Sequence, residues 1–175
     1  IIMTEKLVTF LLGVLGGIKA IPFGRELIAF LLSMAPILEL RGGILAARAL
    51  GLNPVVSFII CYIGNILPVP FILWLIKSII DKMRTSNVGC FKKFVLWLDK
   101  KVEQKKGQIE KYGFWGLVLF VGIPLPGTGA WTGCLIAAML EMDKKKSFLA
   151  ACIGVLMAGI IMSILSIGIF DGILG

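Results

Sequence analysis

Glu39 and Arg41 stand two positions apart inside an otherwise uncharged stretch, Pro36-Ile37-Leu38-Glu39-Leu40-Arg41-Gly42-Gly43. A carboxylate can hold and release a proton or a cation, and a guanidinium presents a planar fork that matches phosphate. A second stretch, Ile123-Pro124-Leu125-Pro126-Gly127-Thr128-Gly129-Ala130-Trp131-Thr132-Gly133, carries no charge. It offers the Thr128 and Thr132 hydroxyls, and in Trp131 an aromatic face for an apolar tail or a flat cation. These are residues for binding. For catalysis the chain is poorly furnished: it contains no histidine, which removes Ser-His-Asp and Cys-His chemistry, and Glu39 has no second carboxylate nearby for acid-base work. The four cysteines, Cys61, Cys90, Cys134 and Cys152, show no Cys-x-x-Cys spacing, so they read as small packing residues and not as a zinc or disulfide framework. The expectation is a protein that is not an enzyme, with no catalytic residues, metal or cofactor.

The elements that position these residues follow from where charge is missing. Of the 175 residues, 58% are hydrophobic and 16% charged, with a mean hydropathy of +0.99. Soluble domains run near 45–50% and about 25%. Three uncharged runs, of 28 residues between Arg48 and Lys77, 29 between Lys111 and Glu141, and 24 between Lys146 and Asp171, each exceed the roughly 20 residues that cross a hydrocarbon core of about 30 Å. The pattern predicts an all-α integral membrane protein. The net charge of +8 is concentrated, with ten of the 18 basic residues falling between Lys77 and Lys111. Flanked by apolar runs, that cluster marks a cytoplasmic loop of a multi-pass cell-membrane protein and argues against nucleic acid as a partner.

The middle run cannot be one straight helix. Two prolines and two glycines at its centre break it into arms of 11 residues, each about 16 Å long at 1.5 Å per residue, which is half the core. Both outer ends are basic, so a simple crossing would put one cluster on the wrong side. A re-entrant hairpin over residues 112–143 satisfies both observations. Residues 25–53 repeat the design, with residues 26–35 as a first arm, 36–43 as the break and 44–52 as the return. Pro36, Ala46-Ala47, Ser57-Phe58 and Gly64 match Pro124, Ala137-Ala138, Ser147-Phe148 and Gly154, with spacings that differ by no more than three residues.

Each half then reads as a hairpin followed by a full crossing, over 54–80 and 144–175. The odd number of crossings per half predicts an inverted repeat within one membrane domain, 1–175. In the first crossing Asn65, Pro68 and Pro70 either open the backbone toward a cavity or merely kink it. Residues 1–24 hold a short first helix over 7–23, uncleaved and running outward, whose Lys19 can snorkel. Within the loop 81–111, Phe91, Phe94, Val95, Leu98 and Val102 line one face of a helix rich in lysine. That helix lies either on an anionic leaflet or against the protein's own hairpin.

The two quoted stretches resemble the two signature motifs of the small multidrug export protein family, and the resemblance covers nearly the whole chain. That family is in turn similar to the DedA, or SNARE-associated Golgi, superfamily, whose members have paired re-entrant hairpins and include lipid-carrier translocases and scramblases. Such a likeness implies a transporter, and the export of drugs is what the family label implies.

Three readings follow. The first is a transporter or flippase of an amphipathic, anionic lipid-phosphate substrate, bound at the midplane between the hairpin tips and coupled to protons. Its substrate-binding residues would be Glu39, Arg41, Gly42, Gly43, Asn65, Pro124, Pro126, Gly127, Thr128, Gly129, Trp131 and Thr132. The second is an exporter of cationic lipophilic compounds that uses Glu39. The third is a structural protein in which Glu39 pairs with Arg41 or Arg48. Partners under these readings are the lipid bilayer, a lipid or drug substrate, protons, and a second copy in a homo-oligomer.

Overall fold

The computed structural model describes residues 22–85, 89–125 and 127–174. Every element among them is a helix: α1 Gly24–Met34, α2 Glu39–Ala49, α3 Pro54–Ile66, α4 Val69–Thr85, α5 Gly89–Glu110, α6 Gly113–Gly122, α7 Ala130–Met139 and α8 Lys144–Leu174. Two stretches, Pro54–Thr85 (32 residues, interrupted at Leu67-Pro68) and Lys144–Ile169 (26 residues), are long and apolar enough to cross a membrane. The short first helix expected over 7–23 lies almost wholly outside the described residues.

Helix ends fall where local chemistry requires them. Ala35 and Ile123 are extended, with ψ of 134° and 120°, because each precedes a proline whose ring excludes the helical conformation from the residue before it. At the start of α3 the Asn53 side chain accepts the Val55 N–H at 2.9 Å, with Pro54 in the first turn. At the start of α8 the Asp143 carboxylate accepts the Lys146 N–H at 2.8 Å. Both return helices end in the same left-handed cap. Gly51 (φ 78°) and Glu141 (φ 56°) close them, with Leu52 N–H donating to Ala47 O and Met142 N–H to Ala137 O, each at 3.0 Å.

The described residues form two compact units, one drawn from residues 22–67 and 155–174 and the other from between 68 and 154. In the first, α1, α2 and α3 pack on one another around Ile28, Leu32, Leu38, Ala46 and Leu50, and the C-terminal part of α8 closes on them where Gly159 meets Phe58 and Leu40. In the second, α4 packs on α5 and α7, and α5 and α7 both pack on α6. The lysine-rich α5 uses one narrow stripe for this, burying Val95, Val102 and Ile109 at seven-residue spacing while Phe91 and Leu96 stay exposed. Packing on the protein's own unit thus takes Val95 and Val102, but not Phe91, from the stripe read in the sequence.

The same contacts occur in both units. A Cβ on Gly64 would lie 2.8 Å from the Phe30 carbonyl oxygen and closer still to Ser33, and one on Gly154 would lie 2.9 Å from the Val118 carbonyl and 2.7 Å from Val121. Phe30 and Ser33 precede Pro36 by the same six and three positions by which Val118 and Val121 precede Pro124. The two capping bonds accept at Ala47 and at Ala137, one residue away from the pairing of Ala46 with Ala137 read in the sequence.

A further correction concerns the first break. The sequence reading ran it through Gly43, but α2 already begins at Glu39, with Glu39 N–H donating to Ala35 O at 2.8 Å and Gly42 N–H to Leu38 O at 2.9 Å. Gly42 and Gly43 serve packing and not the turn: a Cβ on Gly43 would sit 2.7 Å from Ser33 and 3.0 Å from the Cys61 sulfur.

The helices are inside out by the standards of a soluble protein. On α3 the buried residues are Ser57, Cys61, Gly64 and Asn65, while Val55, Ile59 and Ile63 are 50–65% exposed. On α8, Ser147, Ala150, Ala151 and Ala158 are buried, and Leu149, Ile160 and Ile164 are 50–64% exposed. Small and polar residues inside with branched aliphatics outside is the arrangement that lipid favours, since lipid gives helices no hydrophobic reason to associate but rewards close approach. The chain is a membrane protein.

Candidate functional site

In the first unit the candidate residues gather at the start of α2. Glu39 is its first residue, only 6% exposed and held at φ 49°. A left-handed conformation costs a residue with a side chain about 1–2 kcal/mol, and burying a carboxylate adds to that. Both costs fall on one residue at the turn between α1 and α2. Arg41, half-buried, lies within Coulombic reach of Glu39. Arg48 is nine positions on, about 13 Å along the helix axis, and its guanidinium donates to the Leu52 carbonyl at 3.1 Å, so its anchorage is at the opposite end of α2.

Asn65 contributes a second buried polar group, 2% exposed, whose Oδ1 has no hydrogen-bond donor among the described residues. It lies one turn beyond Cys61, whose thiol is directed at the Ala29 carbonyl 3.8 Å away. Because Gly43 packs on Cys61 and the chain reverses between α2 and α3, Asn65 is level with the first turn of α2. Among the sequence-predicted residues, Glu39, Arg41, Gly42, Gly43 and Asn65 therefore share one unit and one level of it.

The other candidates belong to the second unit, at the turn between α6 and α7; Pro126 itself falls outside the described residues. Leu125 N–H donates to Ile123 O at 2.8 Å, and Thr128 N–H to Leu125 O at 3.2 Å. The Thr128 hydroxyl lies 2.9 Å from the Ile123 carbonyl and 2.8 Å from that of Leu125. It holds the turn after Pro124 together. Gly127 (φ 78°) and Gly129 (φ 138°) occupy conformations closed to other residues at low cost. Trp131 and Thr132 follow half-buried in the first turn of α7.

Sequence reasoning missed the hollow beside this turn. Tyr112, Gly116, Leu119, Phe120, Ile123, Leu125 and Thr128 line a groove of about 210 Å³ along α6. The i, i+4, i+7, i+8, i+11 spacing of the first five would have signalled one continuous helix face. At the base of α7, Lys77 on α4 pairs with Glu141, and this hydrogen bond holds the exposed Glu141 carboxyl below its ordinary range. Among the described residues no group of three histidine, cysteine or acidic side chains is placed to hold a metal ion.

Neither the curated proteins nor the solved structures contain a match to this chain. A family profile does match, over residues 39–161, a span that opens at Glu39 and takes in the proline-glycine turn between α6 and α7. By that match, which covers more than two thirds of its length, the chain belongs to the family described as "Putative small multi-drug export protein".

Proposed function

We propose that the protein is a carrier, not an enzyme, and that it exports amphipathic cations in exchange for protons, with Glu39 as the group that alternates between them. The observation that carries this reading is the placement of Glu39: a carboxylate buried in an apolar unit, at a helix break, in a chain whose family is described by drug export. An ionised carboxylate with little water around it attracts a lipophilic cation strongly, and protonation cancels that attraction. Binding and release then alternate with the proton. Asn65, level with Glu39 and with an acceptor oxygen to spare, would receive a donor from the bound cation.

In this proposal the α1–α2 and α6–α7 pairs are re-entrant hairpins whose tips lie near the midplane. Pro54–Thr85 and Lys144–Ile169 are the crossings, the two halves are inverted repeats, and α5 is cytoplasmic. The recurrence of the Gly64 and Gly154 contacts and of the two caps supports the repeat. Irregular backbone at such depth is tolerated only where protein or a cavity surrounds it, and paired broken segments are where transporters of this kind place their sites. The DedA-like architecture read from the motifs belongs to this proposal as well.

Reconstituted into liposomes, the protein should move ethidium-type dyes against a proton gradient, and Glu39→Gln should abolish the pH dependence while keeping the shape of the side chain. Wild-type pH-dependent transport by folded Glu39→Gln would refute the assignment. Arg41 favours a second reading, in which a lipid phosphate docks on its guanidinium in the first turn of an 11-residue helix. Under that reading polyprenyl phosphate moves and dyes do not, and Arg41→Lys, which keeps the charge but loses the fork, slows it.

A further inference from the structure

The groove along α6 lies in the unit that does not contain Glu39, so its role stands apart from the choice of cargo. Its walls are mostly apolar side chains, with Gly116 among its lining residues. From Tyr112 to Ile123 it follows 11 positions of helix, about 16 Å at 1.5 Å per residue. That is half of a hydrocarbon core of about 30 Å, the depth reached by an acyl chain from one leaflet. At the far end lie Ile123, Leu125 and Thr128, where the Thr128 hydroxyl is engaged with the Ile123 and Leu125 carbonyls.

The near end is different in kind. Lys111 is exposed there, with its ammonium 5.3 Å from the centre of the Tyr112 ring. A cation–π contact of this sort orients the side chain without neutralising it. With α6 placed as one arm of a re-entrant hairpin, the reading on which this inference rests, the groove has a positive mouth and an apolar length suited to one chain, which is the complement of an anionic lipid standing in its leaflet.

We propose that this groove is a docking site for an anionic glycerophospholipid, with its phosphate at Lys111 and one acyl chain lying along α6 as far as Leu125. A zwitterionic lipid has the chain but offers Lys111 no net charge, so selectivity between the two headgroups is the property that distinguishes a site from the general lipid coat.

The experiment is native mass spectrometry of the full chain titrated with phosphatidylglycerol or phosphatidylcholine. Wild type should retain phosphatidylglycerol preferentially. Lys111→Gln should reduce that retention about five-fold, the effect of one lysine near a lipid surface. Leu119→Trp, filling the bore, should abolish it, and Leu149→Trp, on the exposed face of α8, should leave it unchanged. Leu125→Trp serves if Leu119→Trp does not fold, as judged by its melting temperature. Equal retention of both lipids by wild type, undiminished retention in the folded groove-filling variant, or an equal loss in Leu149→Trp would each overturn the proposal. So would a dimer that Leu119→Trp dissociates, which would make a second copy of the chain the occupant.

Discussion

Adding one methyl group to Gly154 or Gly64 tests the packing that joins each helix pair to its following crossing. In a helix, alanine is intrinsically better than glycine by about 1 kcal/mol, so on propensity alone both substitutions stabilise. The structure says otherwise. The new Cβ of Gly154→Ala would sit 2.7 Å from the Val121 Cβ and 2.9 Å from the Val118 carbonyl oxygen, where ordinary contacts begin near 3.4 Å. One of these neighbours is backbone and cannot rotate away, so α8 and α6 must separate by roughly half an ångström, enough to forfeit about a quarter of the dispersion contact along the seam. Overpacking of this kind costs about 1–3 kcal/mol, and the upper half of that range applies where backbone opposes backbone. Net destabilisation should be about 1–2 kcal/mol. Gly64→Ala meets the Phe30 carbonyl at 2.8 Å and Ser33 still closer, and should cost a similar amount. Gly168→Ala is the control: nothing lies within 4 Å of its Cβ, so it should gain about 0.5–1 kcal/mol. Equilibrium unfolding in mixed micelles measures all three on one scale. If Gly64→Ala and Gly154→Ala are as stable as Gly168→Ala, the helices do not approach as described and the argument fails.

Other outcomes follow from single residues. Glu141→Gly should leave stability unchanged or raise it slightly, because removing a left-handed side chain recovers about 1 kcal/mol and the lost exposed pair with Lys77 is worth little. Gly51→Ala, at the equivalent cap, should lose about 1 kcal/mol in the same unfolding assay. Since Lys77 lowers the Glu141 pKa in the folded state, the pair's contribution is complete above the ordinary glutamate range and fades as pH falls through the folded value. A carboxylate NMR titration should show that low value in wild type and its return toward normal in Lys77→Gln. Cysteines placed singly at Lys106 and Lys145, in a cysteine-free background, should both resist impermeant reagents on intact cells. Labelling of Lys145→Cys alone would mean that the α6–α7 segment spans the membrane.

What the sequence determined by itself was whatever depends on local chemistry and on the absence of charge. Uncharged runs longer than a bilayer is thick, prolines that force Ala35 and Ile123 to be extended, and the Asn53 and Asp143 caps all act through neighbours within a few residues, so helix type and most boundaries could be read directly. The tertiary structure decided matters where two distant segments compete for one place. Gly42 and Gly43 look like part of a turn because isolated glycines break helices, yet α2 runs through them, since only residues without side chains let Ser33 and Cys61 approach Gly43 and Leu38 lie against Gly42. Val95 and Val102 could face lipid or protein, and the unit that packs on α5 chose protein. The partners of the Thr128 hydroxyl were likewise decided by the turn after Pro124, which brings two carbonyls within its reach. Glu39 stands out in the sequence as a charge among apolar residues. Its left-handed backbone and near-complete burial follow from the packing of α1, α2 and α3, because a conformation that costs energy locally persists only where surrounding contacts outweigh it.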